Sequence, residues 1–477
     1  MGKVTGFLEF EREDAPKRPV AERVRDFREI EQPLPEERLR RQAARCMDCG
    51  VPYCHTFGCP LANRIPDWND MVFRGQWRRA LELLHATNNL PEVTGRICPA
   101  TCEASCTLGI NAPPVSIRQI ELAIVERGWR EGWIVPQPPA RRTGKRAVVV
   151  GSGPAGLAAA QQLARAGHDV VVYEKADRPG GILRYGIPDF KLEKWVLDRR
   201  IAQLEAEGVL FETRVEAGRD VSVNYLRRTF DAVVVAAGSR VPRDVRLPGR
   251  DLAGVVLAMD FLTAQNRRVA GDDPGHGDGG EAAGRTVAVV GGGDTGADCV
   301  GTARRQGAAS ITQIEILPEP PRERAADNPW PYWPQTLRTG TSHDEGCDRL
   351  WGISAQEILG DAGGRTRALR CVRVAWGAPD ASGRRSFLEV PGSEFELPAD
   401  LVVLAMGFVH TEHSALVTDF GLELNPGACL LTDADLMTTA PGVFAAGDCV
   451  LGARLIVTAI DQGRRAAAAA DRWLRSR

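Results

Sequence analysis

The sequence predicts an α/β protein in which two dinucleotide-binding units follow a mostly helical N-terminal region, and three observations carry that expectation. A strand, a glycine-rich turn, a helix and a second strand succeed one another from Ala147, and the same order returns from Thr286. Each stretch is echoed by a later apolar strand running into glycine, at residues 231–238 and 400–407, so two related units are expected. Residues 20–130 read instead as helical, with charged stretches and the aromatic anchors Trp68, Trp77 and Trp129.

Composition bounds the function classes. A chain of 477 residues has room for about two to four domains. Its 43% apolar and 26% charged content is that of an ordinary globular protein. With 60 basic against 62 acidic residues the net charge is −2, so no global field favours nucleic acid or a membrane surface. No apolar run reaches the roughly 18 residues of a membrane span, and the opening MGKVTGFLEFERED has no signal-like core. The expected compartment is the cytoplasm. There, cysteines read as metal ligands rather than disulfides.

The N-terminal region carries seven cysteines, as Cys46-x2-Cys49-x4-Cys54-x4-Cys59 and Cys98-x3-Cys102-x3-Cys106. A Cys-x2-Cys pair also suits zinc, but the later spacings are too compact for a usual second zinc pair. Cys59 and Cys98 each precede a proline, as in bacterial ferredoxin runs, and seven thiolates plus one other ligand would fill two four-iron clusters. His55 interrupts the run and is a further candidate ligand, though a place beside the cluster or at the surface is the favoured reading. Cys299, Cys347, Cys371, Cys429 and Cys449 are scattered and read as packing residues. No Cys-x-x-Cys lies between the two nucleotide units, so electrons do not leave through a dithiol. The stretch Arg38, Leu39, Arg40, Arg41 reads as a solvated helix face, and Pro136, Pro138 and Pro139 mark the first linker.

In the first fingerprint Gly151 permits the turn out of the strand, Gly153 lets the backbone approach a pyrophosphate, and Gly156 lets helix and strand pack closely. The helix N-terminus faces the phosphates. Glu174, 18 residues after Gly156, suits the adenosine ribose hydroxyls. Near the C-terminus, Gly447 and Asp448 end a short strand where an aspartate can hold the ribityl chain of a flavin, and a helix from about Ile456 aims its positive end at the ring. The loop Gly180 to Pro188, with Gly181 in it, would let a large ring approach.

The second fingerprint, Gly291, Gly293 and Gly296 with Asp294 and Thr295, serves a nicotinamide coenzyme. Glu315, 19 residues after Gly296, suits the free 2′-hydroxyl of NADH, whereas Arg304, Arg305, Arg322 and Arg324 are near enough in sequence to meet the 2′-phosphate of NADPH. An exposed strand residue is the other reading of Glu315. Residues 271–284 are low in apolar content and read as a mobile surface loop.

The opening Gly2 to Glu9, the segment Cys46 to Cys54, GSGPAGLAAA from Gly151, GGGDTGADC from Gly291 and the ending around Gly447, Asp448 and residues 457–464 occur in one order along the whole chain. In that order they closely resemble the small (beta) subunit of bacterial glutamate synthase, whose module is shared with dihydropyrimidine dehydrogenase. The resemblance implies two Rossmann-like units behind an α-helical iron–sulfur domain. Residues 1–140 would be the iron–sulfur domain, 141–254 and 400–477 the two parts of an FAD domain, and 255–399 an inserted NAD(P)H domain. It implies one [4Fe-4S] cluster on Cys46, Cys49, Cys54 and Cys106. A second would sit on Cys59, Cys98, Cys102 and a non-cysteine ligand, Glu121 with Gln119 as the alternative. FAD would meet Gly151, Gly153, Pro154, Ala155, Gly156, Glu174, Gly181, Leu183, Val215, Gly238, Gly447, Asp448 and Ala459. The coenzyme, NADPH or NADH, would meet Gly291, Gly293, Asp294, Thr295, Gly296 and Glu315.

The sequence departs from the common family pattern twice. Ile316 and Leu317 stand where many relatives carry adjacent arginines, and three residues separate Cys98 from Cys102 where some relatives have five. The implied activity is electron input. Hydride from NAD(P)H reaches FAD, and single electrons pass through the clusters to FMN in a large (alpha) subunit, where glutamine and 2-oxoglutarate give glutamate. No side-chain acid or base is needed for the hydride step. The chain has no room for an FMN barrel or a glutaminase domain, so a hetero-oligomer is expected and glutamate formation by the chain alone is not. The rivals are the same module serving a pyrimidine reductase or a ferredoxin-linked oxidoreductase, and a zinc-stabilised, non-enzymatic nucleotide-binding assembly module.

Overall fold

The computed structural model describes residues 2–273, 280–378, 380 and 385–477. Residues 274–279 of the expected loop at 271–284 lie outside the described residues. Strands buried on both faces read as continuous apolar runs, and Arg146–Val150 is such a run, buried after its first residue. It sits at the centre of a five-stranded parallel sheet in the order Val443–Ala445, Ala232–Val235, Arg146–Val150, Asp169–Glu174, Val209–Thr213. A second five-stranded parallel sheet repeats the plan as Val255–Leu257, Leu401–Leu404, Thr286–Val290, Ser310–Glu315, Asp348–Trp351. An antiparallel sheet of Ile353–Gly360, Thr366–Trp376, Phe387–Glu389 and Phe395–Pro398 accompanies the second unit.

The first sheet takes its edge strand from residues 443–445, after the second sheet is complete, so the second unit is inserted into the first. Leu401–Leu404 hydrogen-bonds between Val255–Leu257 and Thr286–Val290. A division at residue 400 therefore cuts the second sheet, and the return to the first unit lies beyond residue 404.

The N-terminal region folds as short helices. Pro66 and Pro91 open Ile65–Phe73 and Pro91–Ile97, where a missing N–H costs nothing. These helices pack with Glu36–Ala44, Trp77–Thr87 and Ile117–Arg130 around Trp68, Leu84, Ile117, Ile120 and Ile124. Trp68 and Trp77 are buried core residues. Trp129 is only partly buried, and the guanidinium groups of Arg199 and Arg200 each lie 4.9 Å from its ring. Arg38, Arg40 and Arg41 face solvent while Leu39 is buried. Among the described residues no helix is long and apolar enough to cross a membrane.

The C-terminal helix Ile456–Arg475 crosses Pro154–Arg165 so closely that a Cβ at Gly463 would stand 2.1 Å from the Ala155 carbonyl oxygen. Because that obstacle is backbone, Gly463→Ala must push the two helices apart. We expect a loss of about 1–3 kcal/mol, measured as a lowered midpoint of thermal unfolding with weaker FAD retention.

Candidate functional site

The two fingerprints have the same local mechanics. Gly151 has φ 101° and Gly291 φ 124°, in the left-handed region where a Cβ is strained. A Cβ at Gly156 would meet the Gly151 carbonyl oxygen at 1.9 Å, and one at Gly296 the Gly291 oxygen at 2.2 Å. At Gly153 and Gly293 a Cβ would meet no protein atom within 4 Å. Each thus leaves free room before a helix N-terminus, at Pro154–Arg165 and Asp294–Gln306, which is what a pyrophosphate requires.

Each second strand ends in a carboxylate fixed by backbone. Glu174 accepts from Ser152 N (3.0 Å), Ser152 Oγ (2.5 Å) and Ala176 N (2.8 Å). Glu315 accepts from Gly292 N (2.6 Å) and Leu317 N (2.9 Å). A Cβ at position 292 would stand 2.7 Å from Glu315 Oε2, so a larger residue there would have to displace that carboxylate. Of the arginines near the second fingerprint, Arg305 is wholly buried against Glu345 (2.5 and 3.0 Å) and Arg304 sits in the last turn of its helix, remote from the N-terminus. Arg324 donates to the carbonyls of Asn328 and Tyr332. Arg338, which the sequence reading did not single out, stacks on Trp333 at 3.5 Å and feels the charge of Asp294.

A cleft of about 1240 Å³ runs between the units. Gly151, Gly153, Pro154, Ala155, Glu174, Gly181, Val215, Gly238, Asp448 and Ala459 line it, and so do Asp294 and Thr295 at the head of the second fingerprint helix. Burial lifts the Asp448 carboxyl to about 6, against a backbone N–H from Arg454. Gly447 supports the wall from behind, its N–H donating to Gln462 Oε1 at 2.7 Å. Leu183 does not line the cleft; it is fully buried in the core beneath the glycine loop. Gly156, Gly291, Gly293, Gly296 and Glu315 lie outside the lining as well.

Cys46, Cys49, Cys54 and Cys106 line one small cavity together with Asn69, Val115 and Ile117. Cys59, Cys98, Cys102 and Glu121 face one another as a second set: Cys102 feels the charges of Cys59, Cys98 and Glu121, and Cys59 those of Glu121 and Cys98. Burial pushes Cys46 and Cys98 up to about 11 and Cys59 up to about 12, with Cys54, Cys102 and Cys106 also raised. Backbone N–H groups oppose that rise, from Asp48 at Cys46, from Leu61 and Asn63 at Cys59, and from Ala100 and Thr101 at Cys98. Asp48, Ala62 and Ala100 are non-glycine residues with φ of 52°, 48° and 63°, so left-handed turns fall in the very loops that aim these N–H groups at sulfur. Without a metal, burial favours the protonated thiols; the N–H donors would serve the thiolates that metal ligation requires.

Burial also raises Glu121, to about 7, while Thr94 Oγ1 (2.5 Å) and Asn88 Nδ2 (3.0 Å) donate to its Oε1. Gln119, the alternative ligand, has its Oε1 buried without a partner, as does His55 at Nδ1. Among the described residues no group of three or more His, Cys, Asp or Glu side chains closes on a single metal ion. Cys98 and its neighbours Thr94, Ile97 and Pro99 also line the large cleft, whereas none of the first four cysteines does.

A nucleotide cleft built on two fingerprints, with one thiol set opening onto it and a second close by, defines a pyridine-nucleotide oxidoreductase with an iron–sulfur domain. The family comparisons agree: residues 145–463 match the pyridine nucleotide-disulphide oxidoreductases, and residues 23–133 match dihydropyrimidine dehydrogenase domain II, 4Fe-4S cluster. The glutamate synthase [NADPH] small chain of Mycobacterium tuberculosis is 52% identical, covering 98% of this chain and 95% of its own. That of Bacillus subtilis is 44% identical over 99% of both. The glutamate synthase [NADH] of Schizosaccharomyces pombe is 46% identical over 99% of this chain but only 23% of its own length. The chain belongs to the glutamate synthase small-chain family. Mycobacterium tuberculosis FprA in complex with NADPH shares the fold, with a TM-score of 0.54 at 19% identity over 70% of this chain and 85% of that one.

Two outcomes check the site. Cys54→Ser and Cys98→Ser should each lower bound iron by about half while leaving the other set's visible spectrum, measured by iron analysis of anaerobically purified protein. Glu315→Gln should weaken NADH binding about tenfold and NADPH binding less, because only NADH offers a free 2′-hydroxyl to the carboxylate; parallel coenzyme titrations read the difference.

Proposed function

We propose that this chain is the electron-input subunit of a glutamate synthase, working against a large, FMN-containing subunit that makes glutamate from glutamine and 2-oxoglutarate. The observation that carries the reading is the opening of the second thiol set, through Cys98 and Pro99, onto the same cleft that the first fingerprint and Asp448 line. When bound, NAD(P)H supplies a hydride, FAD converts the electron pair into single electrons, and two [4Fe-4S] clusters conduct them.

This chain's own residues bind and orient. The helix N-termini at Pro154 and Asp294 face the two pyrophosphate positions, and Glu174 and Glu315 stand ready for the ribose hydroxyls, their carboxylates fixed by backbone N–H groups. Asp448 sits where a ribityl chain would run, under the N-terminus of Ile456–Arg475. Ile97, Ile182, Ile187 and Val457 give the cleft that Cys98 lines its apolar wall. In this reading the Cys59, Cys98, Cys102 and Glu121 set is the nearer to the flavin, supported by Cys98 in the lining of the cleft, and the Cys46, Cys49, Cys54 and Cys106 set is the farther. No side chain is required as acid or base.

The test is anaerobic addition of NADH and of NADPH to the purified chain. Flavin bleaching with cluster reduction is expected from at least one coenzyme, and no glutamate from glutamine and 2-oxoglutarate until the large subunit is added. Colourless protein, or protein holding zinc without sulfide, would overturn the reading, as would glutamate made by the chain alone.

A further inference from the structure

Asn69 projects from the helix Ile65–Phe73 and lines the cavity of Cys46, Cys49, Cys54 and Cys106, together with Ile65 and Pro66 from the same helix. It is 0% exposed, and neither Oδ1 nor Nδ2 has a hydrogen-bond partner of normal geometry. An amide buried with both ends unpaired destabilises a core that a leucine of similar shape would fill without cost, so its presence here asks for a partner the polypeptide does not provide. The group it acts on is the Cys46 thiol. The Asn69 side chain and the Asp48 N–H both meet the Cys46 sulfur, in the cavity that Asn69 lines. An amide oxygen turned to a thiolate would be repelled, so the NH₂ end faces the sulfur.

We propose that Asn69 donates an N–H···S hydrogen bond to the Cys46 thiolate and thereby raises the reduction potential of the cluster that Cys46, Cys49, Cys54 and Cys106 hold. The inference rests on the electron-input reading above. Reduction adds one negative charge to a buried cluster, and a donor at sulfur stabilises the more negative state more strongly. The electron is one of the pair that NAD(P)H oxidation supplies; no bond or proton moves with it. Beside the second set, the side-chain amide of Asn88 is spent on Glu121 and Thr94. Asn69 thus makes its own cluster, the one farther from the cleft, a better electron acceptor than it would be without the amide.

The test is a potentiometric titration of the anaerobically purified full chain, followed by the electron paramagnetic resonance of each reduced cluster, in wild type, Asn69→Leu and Asn69→Asp. The leucine variant should shift the reduction equilibrium of one cluster about tenfold toward the oxidised state, which for one electron is about 59 mV. The aspartate variant should shift it at least as far, and the other cluster and the iron content should stay as in wild type. Unchanged potentials in the leucine variant overturn the inference. If that variant loses iron, the isosteric aspartate variant decides; iron loss from both assigns Asn69 to assembly and overturns the inference equally. A wild-type chain that holds no cluster refutes the electron-input reading itself, and the two failures are thereby distinguished.

Discussion

Gathering thiolates out of water is the constraint on which the rest of this molecule turns. Buried like charges repel one another and forgo hydration, and unaided they would take up protons instead. The fold answers with donors. Three left-handed turns, at Asp48, Ala62 and Ala100, lie in the loops whose backbone N–H groups meet the sulfurs, and each thiol set has a guanidinium within reach of one member. Arg45 is 1% exposed and feels the charge of Cys106, while its own N–H groups donate to the carbonyls of Phe10, Pro113 and Pro114. Arg118 feels Cys98 and donates to the carbonyls of Gly95 and Arg96 and to Glu31. These arginines supply positive charge and also tie the cysteine loops to the helices around them.

A relay also needs its stations held at fixed distances, and the chain spends unusual segments on that task. A proline- and aromatic-rich stretch of the second unit reaches the N-terminal region, where Trp330 packs on Tyr53 at 4.7 Å, Tyr332 on Phe57 at 5.4 Å, and Ser105 Oγ donates to the Pro331 carbonyl at 2.9 Å. Tyr53 adjoins Cys54 and Ser105 adjoins Cys106, so the coenzyme-binding unit touches the loops of the first thiol set directly. From the other side, Arg23 near the N-terminus pairs with Glu345, which also binds Arg305. The same N-terminal arm donates the Ile30 N–H to the Phe190 carbonyl of the first unit, and Glu29 and Glu31 of that arm pair with Arg96 and Arg118. A buried charge triad of this kind is a weak source of net stability but strongly disfavours any arrangement that breaks it. Rotation of the coenzyme unit away from the N-terminal arm would part Arg23 from Glu345 and leave a buried guanidinium without its carboxylate.

Those two demands, anionic sulfur and rigid spacing, explain what could be read from the chain and what could not. The parallel strands were legible because burial on both faces leaves uninterrupted apolar runs, and the fingerprints because sterics admit only glycine at Gly151 and Gly156. The cysteine spacing pointed to paired sets, and the fold brings Cys46, Cys49, Cys54 and Cys106 to one cavity. The antiparallel sheet was not legible: its short strands, such as Phe395–Pro398, alternate in burial and resemble loop sequence. Nor was Leu183 recognisable as core, since a leucine in a glycine loop is compatible with either a wall or a foundation. The residue-400 boundary failed because an apolar strand carries no mark of which sheet it joins; only the pairing of Leu401–Leu404 with Val255–Leu257 decides it.

The residues that sequence reasoning passed over have a common physical character. Asn69, Arg45 and Arg338 belong to no motif, and each matters for where it sits rather than for its spacing from a neighbour. Buried polar groups in an apolar helical region are expensive unless paired, so Asn69 and Arg45 would be replaced by leucine or methionine if packing alone governed the region around Trp68. A paired Arg45 answers to three carbonyls, whereas Asn69 has no hydrogen-bond partner of normal geometry and only the Cys46 sulfur to meet. The contrast separates the scaffold of the site from its tuning: the arginine fixes the loops irrespective of what they hold, whereas the asparagine acquires a role only when the sulfurs beside it carry charge.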